Sequence, residues 1–211
     1  MNSHTTPPVP TDGHRPPHPL AQFRFCPLCG SPRFVEHDGK SKRCEACGFT
    51  YYLNPSAATA AFILRSKEQG AGGKRQGAGS KGQGAGSKEE KELLVVRRAK
   101  EPARGTLDLP GGFSDLYETS EEGIVREVRE ETGLEVCRVE FLFSLPNTYP
   151  YSGFLVHTVD MFYACTVSDP TAAHAMDDAA ELRWIPLSEV RPEEFGLASI
   201  RRGVEKFLSR G

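Results

Sequence analysis

No apolar run in the 211 residues approaches the ~18 consecutive apolar residues a membrane-spanning helix requires, and the opening MNSHTTPPVPTDGHRPPHPL lacks the apolar centre of a secretion signal. No membrane partner is expected, and the expected location is the cytoplasm. Charge of one sign is not in excess either: 26 Lys and Arg against 28 Asp and Glu leave −2, so no global positive field is present to grip nucleic acid, and no nucleic-acid partner is expected. Cysteine is scarce at six, and Trp occurs once, but twelve Phe and six Tyr are enough for one ordinary core.

Two stretches hold too little apolar surface to offset the entropy of ordering. Residues 1–22 carry six prolines (Pro7, Pro8, Pro10, Pro16, Pro17, Pro19) and are expected to be a disordered tail. Residues 66–92 hold three tandem heptads, QGAGGKR, QGAGSKG and QGAGSKE, a Gly-rich composition that behaves as a flexible linker. These heptads have no apolar seam, which excludes a coiled coil. Because lengthening a surface loop costs little, the insertion reads as an enlarged connection rather than a binding element.

Four of the six cysteines form two C-x-x-C pairs, Cys26/Cys29 and Cys44/Cys47, fourteen residues apart and each followed by a glycine, Gly30 and Gly48. A C-x-x-C turn points two thiolates at one cation, and two such turns complete a closed tetrahedral Zn²⁺ site. Disulfides are the alternative, but a reducing compartment and the strain of bridging adjacent pairs disfavour them. With four thiolates the site has no open position for catalysis, and His37, which lies between the pairs, is not needed as a ligand. A span of about thirty residues depends on such a metal to fold. Cys137 and Cys165 sit among apolar residues and are expected to fill core space.

Downstream, β-compatible runs at 57–65, 93–98, 134–145, 154–167 and 182–185 alternate with helical patterns at 119–132 and 197–208. Thr119 and Glu122 have capping-box spacing, Ile124, Val125 and Val128 make an apolar stripe, and Gly133 suits the C-terminal stop. The economical fold class is α/β, a mixed sheet with two packed helices.

Between Gly112 and Leu134 seven acidic residues face two arginines. Glu127, Glu130 and Glu131 stand three and four apart, so all three carboxylates leave one side of the helix; no Lys follows at i+4 to relieve Glu130 or Glu131. Such a cluster calls for hard divalent cations, which take oxygen ligands. The glycine-bearing loop from Asp108 to Phe113 brings backbone close to it, where carbonyls can join the coordination. Tyr149, Tyr151 and Phe154 are candidates for stacking on a substrate ring, or for a Pro-rich turn packed on the core. His157 falls in an alternating apolar set with Leu155, Val159, Met161 and Tyr163 and reads as a core histidine. Asp160, on the other face, lines the cleft or bonds a neighbouring loop.

Read from Gly112 through Glu118 and Arg126 to Leu134, the chain fits G-x5-E-x7-R-E-U-x-E-E-x-G-U at every defining position. In this it resembles the Nudix hydrolase superfamily. A four-cysteine ribbon ending in Tyr51-Tyr52-Leu53-Asn54-Pro55 ahead of that motif is similar to the NADH pyrophosphatase branch. The resemblance implies a zinc ribbon at 23–54, then a Nudix α/β/α sandwich at 55–211. It implies a metal-dependent hydrolase that cleaves the pyrophosphate of a nucleoside diphosphate linked to another moiety. Glu127 and Glu131 would be the principal Mg²⁺ or Mn²⁺ ligands, with Glu130 assisting and the Gly112 carbonyl nearby. Arg126 and Glu118 would pair to hold the loop to the helix. Either Glu130 or Glu181 would take the proton of the attacking water, and homodimerisation is expected.

The chain departs from that branch in two places. Ser144-Leu-Pro-Asn-Thr-Tyr-Pro-Tyr-Ser-Gly153 stands where SQPWPFPxS is diagnostic and lacks its Trp, so NADH becomes one candidate beside NAD⁺, ADP-ribose and dinucleoside polyphosphates. Tyr117 stands where a glycine commonly precedes the motif's glutamate. A different reading also stays open: a nucleotide-sensing domain whose ribbon binds nucleic acid or protein. Only Arg24, Arg33, Lys40, Lys42 and Arg43 would serve such a ribbon as a phosphate track.

Overall fold

The computed structural model describes residues 18–66, 90–151, 153–176 and 179–210. The expected tail up to residue 17 and the repeat at 67–89 lie outside the described residues. What is described forms two compact units that divide between Pro55 and Ser56.

The first unit is a three-stranded antiparallel sheet of β1 (Phe34–Asp38), β2 (Ser41–Cys44) and β3 (Thr50–Tyr52). Its small core is Cys26, Phe34 and Cys44, with Phe49 and Tyr51 packed on it. Residues 18–22, assigned to the tail by composition, make a turn that buries Leu20 completely. His18 Nε2 lies 2.7 Å from the Asp38 carbonyl, so residues 18–22 are ordered against the first unit. One leucine and a backbone contact suffice there, which a composition count does not register.

The second unit is a six-stranded mixed sheet in the order β6, β5, β4, β8, β7, with β9 also paired to β5. The strands are β4 (Ser56–Ser66), β5 (Lys91–Arg98), β6 (Leu107–Asp108), β7 (Val136–Tyr151), β8 (Phe154–Val167) and β9 (Ala179–Pro186). Two helices, α1 (Ser120–Thr132) and α2 (Ala198–Leu208), complete it. β4 runs parallel to β8 at the sheet centre, and its run from Thr59 to Ile63 is buried throughout, as a strand covered on both faces must be. Alternate residues go to opposite cores. Ala60 and Phe62 join Phe162, Ile200 and Val204 beneath α2, whereas Ala61 and Ile63 join Ile124, Val128 and Tyr163 beneath α1. The result is the α/β/α sandwich.

Each helix is seated by a local contact. Thr119 accepts the Glu122 N–H while Glu122 accepts the Thr119 N–H, closing the capping box, and Gly133 at φ 68° ends α1. In α2, Phe207 stacks on Phe62 with ring centroids 4.0 Å apart, and a Cβ on Gly203 would stand 2.3 Å from the Phe162 ring.

Three expectations need correction. The strand expected at 134–145 runs from Val136 to Tyr151 through Pro146 and Pro150; β7 is an edge strand, where proline costs no ladder hydrogen bond. Cys165 is buried as expected, but Cys137 is exposed, where the β7–β8 register slips between Val136 and Arg138. On β8 the inward face at the 154–160 end is that of Thr158 and Asp160, while Leu155 and Val159 of the His157 face are exposed.

Candidate active site

The loop that enters the acidic helix is laid against β4 like an extra strand. Ala61 N–H donates to the Pro110 carbonyl and Thr59 N–H to the Gly112 carbonyl, each at 2.8 Å, and Ser114 N–H donates to the Ala57 carbonyl at 3.1 Å. This close approach explains the two glycines. A Cβ on Gly111 would stand 2.1 Å from the Thr59 carbonyl oxygen, and one on Gly112 would stand 2.6 Å from the Glu127 carboxyl. The loop therefore places backbone directly on the helix carboxylates. Gly111 N–H donates to Glu131 at 3.0 Å, and the Gly112 carbonyl accepts from the Thr59 N–H at 2.8 Å and, at 3.4 Å, from the Thr59 hydroxyl.

Arg126 fastens the far side of the loop. Its guanidinium grips Glu118 through Nε and Nη2 at 2.9 and 3.0 Å, a bidentate pair, and Nη2 also donates to the Phe113 carbonyl at 2.9 Å. Hydrogen bonding to Arg126 and to the Asp115 N–H holds the Glu118 carboxyl below its ordinary range. Arg126 Nη1 meanwhile reaches Glu127 at 2.9 Å and Glu130, four residues on, at 3.0 Å. It relieves the carboxylate repulsion for which the sequence offers no Lys at i+4, because the relief comes from the N-terminal side. Tyr117, just before Glu118, is fully exposed at φ 67°, in the left-handed backbone region that a glycine there adopts without strain.

A cleft of about 610 Å³ opens beside this loop, large enough for a nucleotide. Glu127, Glu131, Gly111 and Gly112 line it, together with Tyr149 and Tyr151. Burial pushes the Glu127 carboxyl up, against the pull of Arg126. The other expected site residues stand elsewhere. Glu130 is turned onto Arg126 and does not line the cleft, and Phe154 does not line it. Glu181 pairs with Arg97 at 3.1 Å and Arg183 at 2.8 Å; those two arginines hold its carboxyl below the ordinary range, and it too is absent from the cleft wall.

Two cleft residues, Asp108 and Asn147, carried no role in the sequence reading. Asp108 is buried and paired with Arg98; burial pushes its carboxyl up in spite of that guanidinium. Asp160 lines the cleft, the first of the two alternatives expected of it, and it accepts from Thr158 of its own strand and Ser199 of α2 rather than from a loop. Asn147 sits on the same wall. A charged residue inside an apolar strand was a usable signal for Asp108 and Asp160, whereas nothing in a Pro-rich run marked Asn147.

In the first unit the four cysteines meet. Gly30 N–H bonds the Cys26 carbonyl and Gly48 N–H the Cys44 carbonyl, each at 2.9 Å, and both glycines have left-handed φ, 70° and 79°. These matched turns bring Cys26, Cys29, Cys44 and Cys47 sulfurs within 4.8 Å of one another, with all four thiols free. Burial opposes ionisation of Cys44, but the N–H groups of Cys47 and Ala46 outweigh it and hold this thiol at about 6. The Phe49 N–H favours the Cys47 thiolate, yet burial and the neighbouring thiols push Cys47 up to about 12. A cation is needed to neutralise four sulfurs in one place, and a tetrahedral thiolate set suits zinc. Among the described residues this is the group of three or more metal-capable side chains whose donor atoms converge so closely. Among them, too, no helix is long and apolar enough to cross a membrane.

Comparison with known proteins agrees with both units. The family described as NUDIX domain matches residues 86–206, and the NADH pyrophosphatase zinc ribbon domain matches residues 21–52. An NAD-capped RNA hydrolase NudC of Deinococcus radiodurans is 27% identical over 167 residues, which is 79% of this chain and 50% of that protein. An ADP-ribose pyrophosphatase of Methanocaldococcus jannaschii is 32% identical over 104 residues, 48% of this chain and 59% of its own length. The chain thus spans about half the length of the curated relatives it matches. A solved Nudix hydrolase of Nitrosomonas europaea shares the fold at a TM-score of 0.59 and 19% identity, with 89% of this chain and 91% of that one covered.

Proposed function

The chain belongs to the Nudix family, and we propose that it is a divalent-metal-dependent hydrolase cleaving the pyrophosphate bond of a nucleoside diphosphate joined to another moiety, such as NAD(H), ADP-ribose or a dinucleoside polyphosphate. One observation carries this reading: Glu127 and Glu131 line a nucleotide-sized cleft with the Gly111–Gly112 backbone laid against their carboxylates. Carboxylate and backbone carbonyl oxygens are the donors that Mg²⁺ or Mn²⁺ prefers, so the residues present fit such an ion. When bound, the ion neutralises pyrophosphate charge and lowers the pKa of a water.

The chain's own residues do the rest. Glu127, Glu131 and the Gly112 carbonyl would hold the cation, and Arg126 with Glu118 fixes the loop that carries this carbonyl. Glu130 accepts the proton of the attacking water once it leaves Arg126, since Glu181 is tied to Arg97 and Arg183 and does not itself line the cleft. Tyr149 and Tyr151 supply aromatic faces for a ring of the substrate. In the first unit Zn²⁺ holds the ribbon together and takes no part in the reaction.

The test is hydrolysis of a panel with Mg²⁺ or Mn²⁺, comparing the native chain with Glu131→Gln. Two phosphate-bearing products from one pyrophosphate substrate, and a drop of about 100-fold or more in the variant, are expected. A native chain that binds a nucleotide but cleaves nothing overturns the hydrolase reading in favour of a nucleotide sensor.

A further inference from the structure

The wall of the cleft that β7 and β8 build has no part in holding a cation, yet it is polar and deeply buried. In the antiparallel ladder Asn147 lies opposite Thr158, Leu145 opposite Asp160 and Tyr149 opposite Val156, so the side chains of Asn147, Tyr149, Thr158 and Asp160 emerge on one face. Asp160 is immobilised there. Thr158 donates to one of its carboxylate oxygens at 2.5 Å and Ser199, in the first turn of α2, donates to the other.

Asn147 differs from its neighbours. It is 8% exposed as a whole and lines the cleft, and its carboxamide atoms open onto the cleft without a hydrogen bond to any described residue. An amide whose polar atoms open onto the cleft with no protein partner is available to whatever enters there. A side-chain amide offers a donor and an acceptor side by side in one plane. Its complement is a flat edge carrying an –NH₂ group next to an acceptor, as adenine does with its 6-amino group and ring nitrogen, and as a pyridine carboxamide does. Tyr149, two residues along the same face and half-buried, presents a ring on which such a flat group stacks.

We propose that Asn147 is the specificity-determining residue by which the cleft selects a nucleotide ring bearing an amino group beside a hydrogen-bond acceptor. The idea rests on the hydrolase reading for the kind of substrate, but ligand binding tests it without turnover. The full-length chain is titrated calorimetrically, without added divalent metal, with two pairs of ligands. AMP is compared with purine riboside 5′-monophosphate, which lacks the 6-amino group, and nicotinamide mononucleotide with nicotinic acid mononucleotide.

The amino-bearing member of one pair is expected to bind on the order of 10- to 100-fold tighter, and that pair identifies the ring. Asn147→Leu, of similar size, abolishes the preference and leaves the weaker member's affinity unchanged. Asn147→Gln, which keeps the amide but displaces it, is the second variant should the first not fold, and it reduces the preference. Equal binding within both pairs, no binding of any of the four, or a preference that survives both variants overturns the proposal. Preference without hydrolysis defeats the hydrolase reading alone, and hydrolysis without preference defeats the role of Asn147 alone.

Discussion

The two glycines of the Leu109–Phe113 turn separate structural from chemical damage, because an added methyl meets a different partner at each. At Gly111 the new Cβ falls 2.1 Å from the Thr59 carbonyl oxygen and 2.9 Å from the Ala60 Cα, both backbone atoms of a central strand, and φ is 150°. Neither neighbour can yield without moving the sheet. Overpacking of this sort costs about 1–3 kcal/mol, and a strained backbone adds about 1 kcal/mol. The Thr59 and Ala61 hydrogen bonds to the loop are then at risk, at about 1 kcal/mol each. Gly111→Ala should therefore lose about 3–5 kcal/mol, a fall in melting temperature on the order of 10 °C for a chain of this size. At Gly112 the new Cβ falls 2.6 Å from the carboxyl of Glu127, the far end of a flexible side chain. That carboxylate can swing aside, so Gly112→Ala should melt within about 1 kcal/mol of the native protein. Its hydrolysis rate should fall by about 100-fold or more, because a ligand displaced by an ångström is no longer a ligand. Thermal denaturation followed by circular dichroism, paired with the hydrolysis assay, reads both. A Gly112→Ala protein with full activity, or a Gly111→Ala protein that melts like the native one, would refute the placement of this loop.

Three further outcomes follow from the same geometry. Glu118 has its folded-state carboxyl held below the ordinary 4.5, so the stability it contributes is present above that value and is lost as pH falls through the lower folded one; Glu118→Gln should flatten the acid limb of a stability-against-pH curve measured by urea unfolding. Stripping metal with a strong chelator should expose the first unit to limited proteolysis while peptides from the β4–β8 sheet stay protected; equal cleavage of both units would count against a metal-dependent ribbon. Ser199→Ala removes one of the two hydroxyl donors that the buried Asp160 carboxylate uses, and should lower stability by about 1–3 kcal/mol in thermal melts, whereas an unchanged melt would mean that contact is not made.

The helix and its loop were legible in the sequence because they are set by short spacings. Thr119 to Glu122 is a capping box whatever surrounds it, and Gly133 stops the helix, whereas the Glu118–Arg126 pair was expected only from the resemblance to the Nudix motif. Central strands were legible for a related reason: β4 is buried on both faces, so an unbroken apolar run has one meaning. What failed was whatever depends on register across strands. Glu181 looked like a cleft carboxylate from its place in the chain, but β9 pairs it opposite Arg97, with Arg183 on the same face two residues on, and those guanidiniums claim it. On β8 the alternation around His157 was sound and Met161 and Tyr163 do pack on a core, but at the Leu155–Val159 end the covered face is the other one, since an alternating pattern does not say which face is covered. Asn147 was invisible because its significance lies in having nothing to bond, a property of three-dimensional surroundings alone.

Arg126 shows how the acidic cluster of α1 is kept stable by the chain's own charges. Glu127 and Glu130 would repel one another on adjacent helical turns, and Glu127 is buried as well, so both need a positive neighbour whenever a cation is missing. The guanidinium supplies it from inside the motif, with Nη1 on these two carboxylates and Nε and Nη2 on Glu118 and the loop carbonyl. The two sets of contacts are separable. A cation that takes Glu127 away from Nη1 leaves the Glu118 and Phe113 contacts intact, so the loop that carries Gly112 does not have to rebuild when the carboxylates change partners. That economy needs a planar cation with donors diverging in fixed directions; lysine, with one ammonium, can satisfy the carboxylates or the loop but not both.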